Sequence, residues 1–210
     1  MKTLILHPAY FGSIEQFVYF AKAEKICFEN EDNYQKQTYR NRQYIYGANG
    51  KLLLNIPIKH LHIKNKRQKY KEVKIENDFK WQINHWRSLE AAYRTSPFFE
   101  FYEDEFRPLY EKDYTYLMEF NYACLDVLQS CLQLDIPIEK TEEFIKAYND
   151  SEIVDGRNLI SAKKKLSVNL EDYIQVFSNK EGYIPNLSIL DLLFNEGPSS
   201  IMYLENQVFN

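Results

Sequence analysis

The chain opens on a short apolar run, Thr3-Leu4-Ile5-Leu6-His7, that stops at Pro8. A run this short, closed by a residue with no backbone N–H, predicts a buried strand. Gly12-Ser13 follows. Ile14, Phe17, Val18 and Ala21 then recur at the spacing of one helix face, with Ser13 placed to cap. Lys25-Ile26-Cys27-Phe28-Glu29 reads as a second strand. Strand, short helix, strand is a βαβ unit, which favours a parallel pair and a right-handed crossover.

Residues 30–42 are polar and follow neither period, so they predict a long loop with room for one helical turn. Tyr44-Ile45-Tyr46 and the run Leu52–Ile58 flank Gly47-Ala48-Asn49-Gly50, a hairpin signal with a four-residue turn. Pro57 marks the end or edge of the second strand. A basic stretch from Lys59 to Lys74 ends in the alternating Val73-Lys74-Ile75. Residues 80–134 are mostly helical. Trp81, Trp86, Leu89, Ala92 and Tyr93 form one stripe, broken at Ser96-Pro97 and resumed by Phe98, Phe101 and Tyr102. Tyr116, Phe120, Cys124, Val127, Leu128 and Cys131 form another. Residues 135–170 are charged and irregular and read as a surface excursion with a short strand near Phe144-Ile145. Tyr173–Phe177 reads as a strand. Leu187–Phe194 reads as a helix with Asn186 as cap and Gly197-Pro198 as stop. In that helix Asp191 is expected to hold an arginine or backbone groups. No repeat or linker divides the chain. The expectation is one α/β domain over 1–210: a βαβ-containing, mostly parallel sheet with flanking helices and a β-hairpin.

Composition narrows the function. The net charge of −4 gives no general case for nucleic acid or an anionic membrane. No stretch approaches the ~18 apolar residues of a transmembrane segment. Three cysteines at no metal-ligand spacing suit a reducing compartment, hence a cytoplasmic protein. The 17 Tyr and 14 Phe suit groove walls as well as core cover.

Four places could carry chemistry. His7, in His7-Pro8-Ala9-Tyr10-Phe11-Gly12, follows the first strand, where open α/β sheets bind ligands, and has a ring suited to proton transfer. A hydrogen-bonded turn histidine is the plainer reading. The loop Glu29–Arg42 gathers Glu31, Lys36, Arg40, Asn41 and Arg42, types that give directional bonds to anions, although a solvated mixed-charge loop looks the same. His60 and His62 share a strand face but lack a third ligand, so no metal site is assigned. Around Trp81–Arg87, His85 and Arg87 sit on a helix that serves equally as a core element. No P-loop, dinucleotide-binding, serine-hydrolase or zinc-protease motif occurs, and no motif specifies a cofactor.

These places, in this order, resemble the WbqC-like family of bacteria. The segments are Ile5–Gly12, Lys36-Gln37-Thr38-Tyr39-Arg40-Asn41-Arg42, Leu54-Asn55-Ile56-Pro57-Ile58-Lys59, His85–Phe99 and Phe177–Gly197. The first turn lacks a Gln and a second Pro of the family pattern, Tyr39 replaces a Trp, and an expected acidic pair reads Asn30-Glu31. The resemblance implies a role in surface polysaccharide (O-antigen) biosynthesis, with glycine transfer as one reaction. The expectation is then a group-transfer enzyme for an anionic or sugar-linked small molecule. His7 and His85 are its catalytic candidates. Tyr10, Glu31, Lys36, Arg40, Asn41, Arg42 and Arg87 are its binding candidates. A non-catalytic carbohydrate- or partner-binding protein is the alternative, and a nucleotidyl-transfer fold a weaker one. His7, the Lys36–Arg42 loop and His85 are expected to line one cleft. Arg40 and Arg42, two residues apart, are expected to point the same way, so that Lys at either weakens anion binding with the fold nearly intact; an internal salt-bridge cluster with Glu29, Glu31 and Asp32 is the plainer alternative.

Overall fold

The computed structural model describes residues 2–59 and 67–210, so His60 and His62 lie outside the described residues. Strand β1 (Thr3–Leu6) leads through helix α1 (Ile14–Ala21) to β2 (Lys25–Phe28). The two strands pair in parallel, with Leu4 opposite Ile26 and Leu6 opposite Phe28. Helix α1 starts where the Ser13 side chain accepts a hydrogen bond from the Gln16 N–H, and it buries Ile14, Phe17, Val18 and Phe20. The βαβ unit is as the sequence predicts.

The hairpin consists of β3 (Arg42–Gly47) and β4 (Gly50–Asn55). Gly47 pairs with Gly50, so the turn is the two residues Ala48-Asn49 rather than four. Gly50 takes a φ of +90°, a conformation that costs glycine little. The ladder ends at Asn55, before Pro57 can remove a donor from it. Helices α2 (Trp81–Tyr93), α3 (Phe99–Glu111) and α4 (Leu117–Leu132) follow, separated where Ser96-Pro97 and Asp113-Tyr114 break the pattern. No helix among the described residues is long and apolar enough to cross a membrane.

Residues 135–170 depart most from expectation. They supply β5 (Ile138–Lys140) and β6 (Ile153–Asp155), which pair in parallel with β2 and β1. The sheet order is β5-β2-β1-β6, so half its strands come from a segment that reads as a surface excursion. Three-residue strands are too short to display a period. Phe144 and Ile145 are exposed and belong to no strand.

After β7 (Val168–Asn169), Tyr173–Phe177 also forms no strand; it leads into a single turn, α5 (Ser178–Glu181). Its Tyr173 hydroxyl and Gln175 amide, with the Tyr93 hydroxyl, donate to the buried carboxylate of Asp191. Asp191 therefore holds neither an arginine nor backbone. It lies in α6 (Ile189–Glu196), which is capped by Ser188. Asn186, the expected cap, sits at φ +53° and accepts from the Glu15 N–H of α1 instead. Gly197 ends α6 as expected. Helix α7 (Ser200–Asn206) and β8 (Val208–Phe209), paired with β7, close the chain. One apolar core joins the sheet, the helices and the hairpin.

Leu190 has no solvent exposure and sits in the first turn of α6. Leu190→Ala is expected to lower unfolding free energy by about 2–5 kcal/mol, measured by urea denaturation. A loss within error of zero would mean that α6 is not part of the core.

Candidate active site

The parallel strands end at one edge, and polar residues follow them there. His7 follows β1, Glu29 follows β2, Thr141 follows β5, and Asp155 ends β6 with Arg157 two residues on. The chain moves from β1 outward to β2 and β5, then returns to β6 on the other side of β1. That reversal is a topological switch point, where crevices form beyond the strand ends. A cavity of about 390 Å³ opens there, lined by His7, Asp32, Gln35, Phe144, Asp155, Arg157 and Asn158.

His7 is 2% exposed. Its Nε2 lies 3.4 Å from Asp32 Oδ2, and Arg40 Nη2 lies 3.4 Å from the same oxygen. A carboxylate only accepts, so the neutral ring carries its proton on Nε2. Nδ1 is then the basic atom; it is buried and has no hydrogen-bond partner among the described residues. Burial holds the His7 pKa well below its usual range; Arg40 and Arg157 push the same way, and the Glu29 backbone opposes them. His7 is therefore neutral at pH 7.

Arg40 is fully buried. Its guanidinium donates to Thr38 Oγ1 at 3.3 Å and lies 5.1 Å from the centre of the Tyr70 ring. Burial lowers its pKa, and Tyr70 and Asp32 restore part of the loss. Tyr70 holds the group together. Its backbone N–H donates to the Asp32 carbonyl at 3.0 Å, and its hydroxyl donates to the Pro8 carbonyl at 2.9 Å, beside His7. Asn121 of α4 donates to the Tyr70 hydroxyl and to the Arg40 carbonyl. The Arg40–Asp32 pair is the internal salt bridge that the sequence offers as the plainer alternative; sequence reasoning missed Tyr70 and Asn121. Asn121 left one signal: it is a polar residue in step with Leu117, Phe120 and Cys124 on the buried face of α4.

Arg157, also missed, closes the other side. Its N–H groups reach Asp155 Oδ1 and Oδ2 at 2.8 and 2.6 Å, the Ile145 and Lys146 carbonyls, and Glu29 Oε2 at 3.5 Å. All five donors are engaged, so Arg157 clips the 141–149 segment over the sheet edge and has none left for a substrate. Its bonds hold the Asp155 pKa below the usual carboxylate range.

Residues 7–169 match the WbqC-like protein family. The chain belongs to that family. It is 26% identical over 231 residues to the uncharacterized protein Rv1507c of Mycobacterium tuberculosis, an alignment covering 97% of each chain. No solved structure matches it. The matched residues of this WbqC-like chain run from His7 past Arg157 and so contain the whole cavity lining; the Phe177–Gly197 resemblance lies beyond them.

The remaining expected residues of the WbqC-like chain do not share the cavity. His85 lies on the buried stripe of α2 with Trp81, Leu89 and Ala92. It is 6% exposed, and its Nδ1 is 2.9 Å from the hydroxyl of the fully buried Tyr10, which also meets the Tyr110 hydroxyl at 2.8 Å. Burial pushes the His85 pKa down to about 4. His85 and Tyr10 thus form an internal polar pair. Arg87 is exposed beside Trp86 and Glu90 in a separate groove of about 320 Å³. The Glu31 carboxylate pairs with Lys71 at 2.6 Å. Lys36, Asn41 and Arg42 line a groove of their own. Arg40 and Arg42 part company because residues 38–41 are buried, threaded between Tyr10 and Ile160: the Tyr39 carbonyl accepts from Tyr10 N–H, and the Tyr39 N–H donates to the Ile160 carbonyl. Among the described residues no cluster of His, Cys, Asp or Glu is arranged to hold a metal ion.

Two outcomes follow from these environments. Arg40→Lys is expected to lower stability by about 2 kcal/mol or more, because an ammonium cannot lie flat on Tyr70 while bonding both Asp32 and Thr38; a thermal melt unchanged from wild type would contradict this. His85 has a folded pKa of about 4 against an ordinary 6.5. The unfolded chain therefore takes up a proton first, and stability falls as pH drops from 6.5 towards 4. Between pH 7 and 5 the loss from this residue is about 2 kcal/mol. Urea denaturation at the two pH values should show a smaller loss for His85→Gln, and equal losses would refute the assignment.

Proposed function

We propose that this WbqC-like protein is a group-transfer enzyme in which His7 is the general base, acting on an anionic or sugar-linked small molecule. The observation that carries the proposal is the state of His7: a neutral ring with Nε2 facing Asp32 and a buried, unpartnered Nδ1, on a residue that lines a cavity at the switch point of the sheet. That arrangement suits taking a proton from an attacking amine or hydroxyl. For acyl or aminoacyl transfer, glycyl transfer included, the nucleophile gives its proton to Nδ1 as its lone pair forms a bond to the donor carbonyl. The tetrahedral intermediate then expels the leaving group, which takes the proton back from the imidazolium. Asp32 offsets the positive charge that His7 carries between the two steps. Arg40, sharing the same Asp32 oxygen, fixes the carboxylate in place. The family resemblance supplies the setting, surface-polysaccharide biosynthesis in the bacterial cytoplasm.

A non-catalytic carbohydrate-binding role draws support from Arg157, whose donors serve the protein itself, and from Arg40, whose terminal nitrogens bond Thr38 and Asp32. Kinetics separate the two. A panel of acyl and aminoacyl donors with sugar-linked acceptors is expected to show turnover, and His7→Gln to reduce kcat by roughly 10²–10⁴ with an unchanged melting curve. Because the His7 pKa lies well below 6.5, kcat/KM should hold as pH falls through 6.5 and decline only at lower pH. Ligand binding without turnover by wild type, unaltered in His7→Gln, would favour the binding role.

A further inference from the structure

Across the Asp32–Arg42 loop from the cavity runs a groove of about 420 Å³. The loop itself is the partition: Asp32 and Gln35 face the cavity, whereas Tyr34, Lys36, Asn41 and Arg42 face the groove. The far wall is the end of β4 and the segment after it, Asn55–Ile58. This lining holds two cations and no carboxylate. Four basic side chains near these loops are matched by a carboxylate: Lys71 with Glu31, Lys59 with Glu76, Arg157 with Asp155 and Arg40 with Asp32. Lys36 and Arg42 have no ion-pair partner among the described residues, and the Arg42 Nε–H is buried with no acceptor. A buried donor left without an acceptor costs about 1–3 kcal/mol, which an entering acceptor recovers.

The walls are fixed before any ligand arrives. Asn41 accepts from the Tyr34 hydroxyl at 2.9 Å and donates to the Ile56 carbonyl at 2.9 Å. The donors left for a ligand are therefore those of Arg42 and Lys36, with the side-chain amide of Gln37 beside them. A guanidinium offers a planar fork that matches two oxygens of one anion, and the ammonium adds a point charge. Two cations balance a phosphate dianion or a diphosphate, whereas a carboxylate leaves one unmatched. We infer that this groove is a phosphoryl subsite, distinct from the His7 cavity, which holds the phosphate or diphosphate of a substrate whose reacting end crosses the loop. What the phosphoryl group is attached to rests on the group-transfer reading; phosphoryl binding does not.

Calorimetric titration of the full chain with inorganic phosphate, inorganic pyrophosphate and uridine diphosphate tests this. Pyrophosphate and the nucleoside diphosphate are expected to bind, more weakly as salt is raised. Arg42→Gln should weaken binding by about tenfold or more, Lys36→Gln by less, and Arg42→Lys should recover part of the loss. His7→Gln should leave binding unchanged. In the wild type, pyrophosphate should shift the Arg42 Nε–H resonance, a measurement that stands even where a variant fails to fold. Equal affinity for pyrophosphate and uridine diphosphate identifies the phosphoryl group as all that is recognised; tighter binding of the latter identifies a nucleotide-linked substrate. No binding of any probe, or undiminished binding by a folded Arg42→Gln, overturns the inference. Phosphoryl binding that depends on Arg42 in a protein with no transfer activity would overturn the enzyme reading and leave the subsite standing.

Discussion

Arg40 is a cation with none of its surface in water, and the loops at the sheet edge are arranged around that fact. Removing a guanidinium from water costs several kcal/mol, which only nearby charge and well-placed acceptors can offset. Asp32 supplies the charge, Thr38 an acceptor and Tyr70 the face of a ring. Asp32 and Thr38 come from the long loop that carries Arg40, and Tyr70 from a separate turn. Tyr70 and Asp32 are joined through the backbone, and Asn121 reaches in from α4 to fix the Arg40 carbonyl. The buried charge thus obliges the β1 turn, the long loop, the 70–72 turn and α4 to meet in one geometry.

That obligation gives the cavity its chemistry. A histidine beside a lone carboxylate would tend to bind a proton there. Here Arg40 competes for the same Asp32 oxygen, and burial disfavours the charged ring, so His7 stays neutral. The loop that carries Asp32 also separates the cavity from the Lys36–Arg42 groove, so one segment bears both the partner of the base and the cations. A rigid partition of this kind holds two parts of a substrate at a set separation, which favours reaction by lowering the entropic cost of orientation.

The sequence made the βαβ unit, the hairpin, the helical half and α6 legible, because each displays a period long enough to read and a turn or cap that ends it. His7 was legible by its place after a strand. What was not legible depends on contacts far apart in the chain. β5 and β6 have three residues each and are strands only because β2 and β1 offer them edges. Tyr70 lies in a basic run with no pattern, and its role comes from four partners distant in sequence: Pro8, Asp32, Arg40 and Asn121. His85 and Arg40 looked functional because polar types near motifs suggest chemistry; burial, which composition does not reveal, makes them internal.

The late arrival of β5 and β6 bears on how the molecule is made. Thr3 pairs with Ile153, a closure of nearly the whole family-matched region. At synthesis rates of about 5–20 residues per second, the β1–β2 pair emerges roughly ten seconds before its neighbours. Throughout that interval both outer edges of an apolar parallel pair are unpaired, the condition under which nascent chains associate with one another or with chaperones. Contacts so distant in sequence also slow folding itself. Growth temperature and expression rate should therefore govern the yield of native protein more than its final stability does.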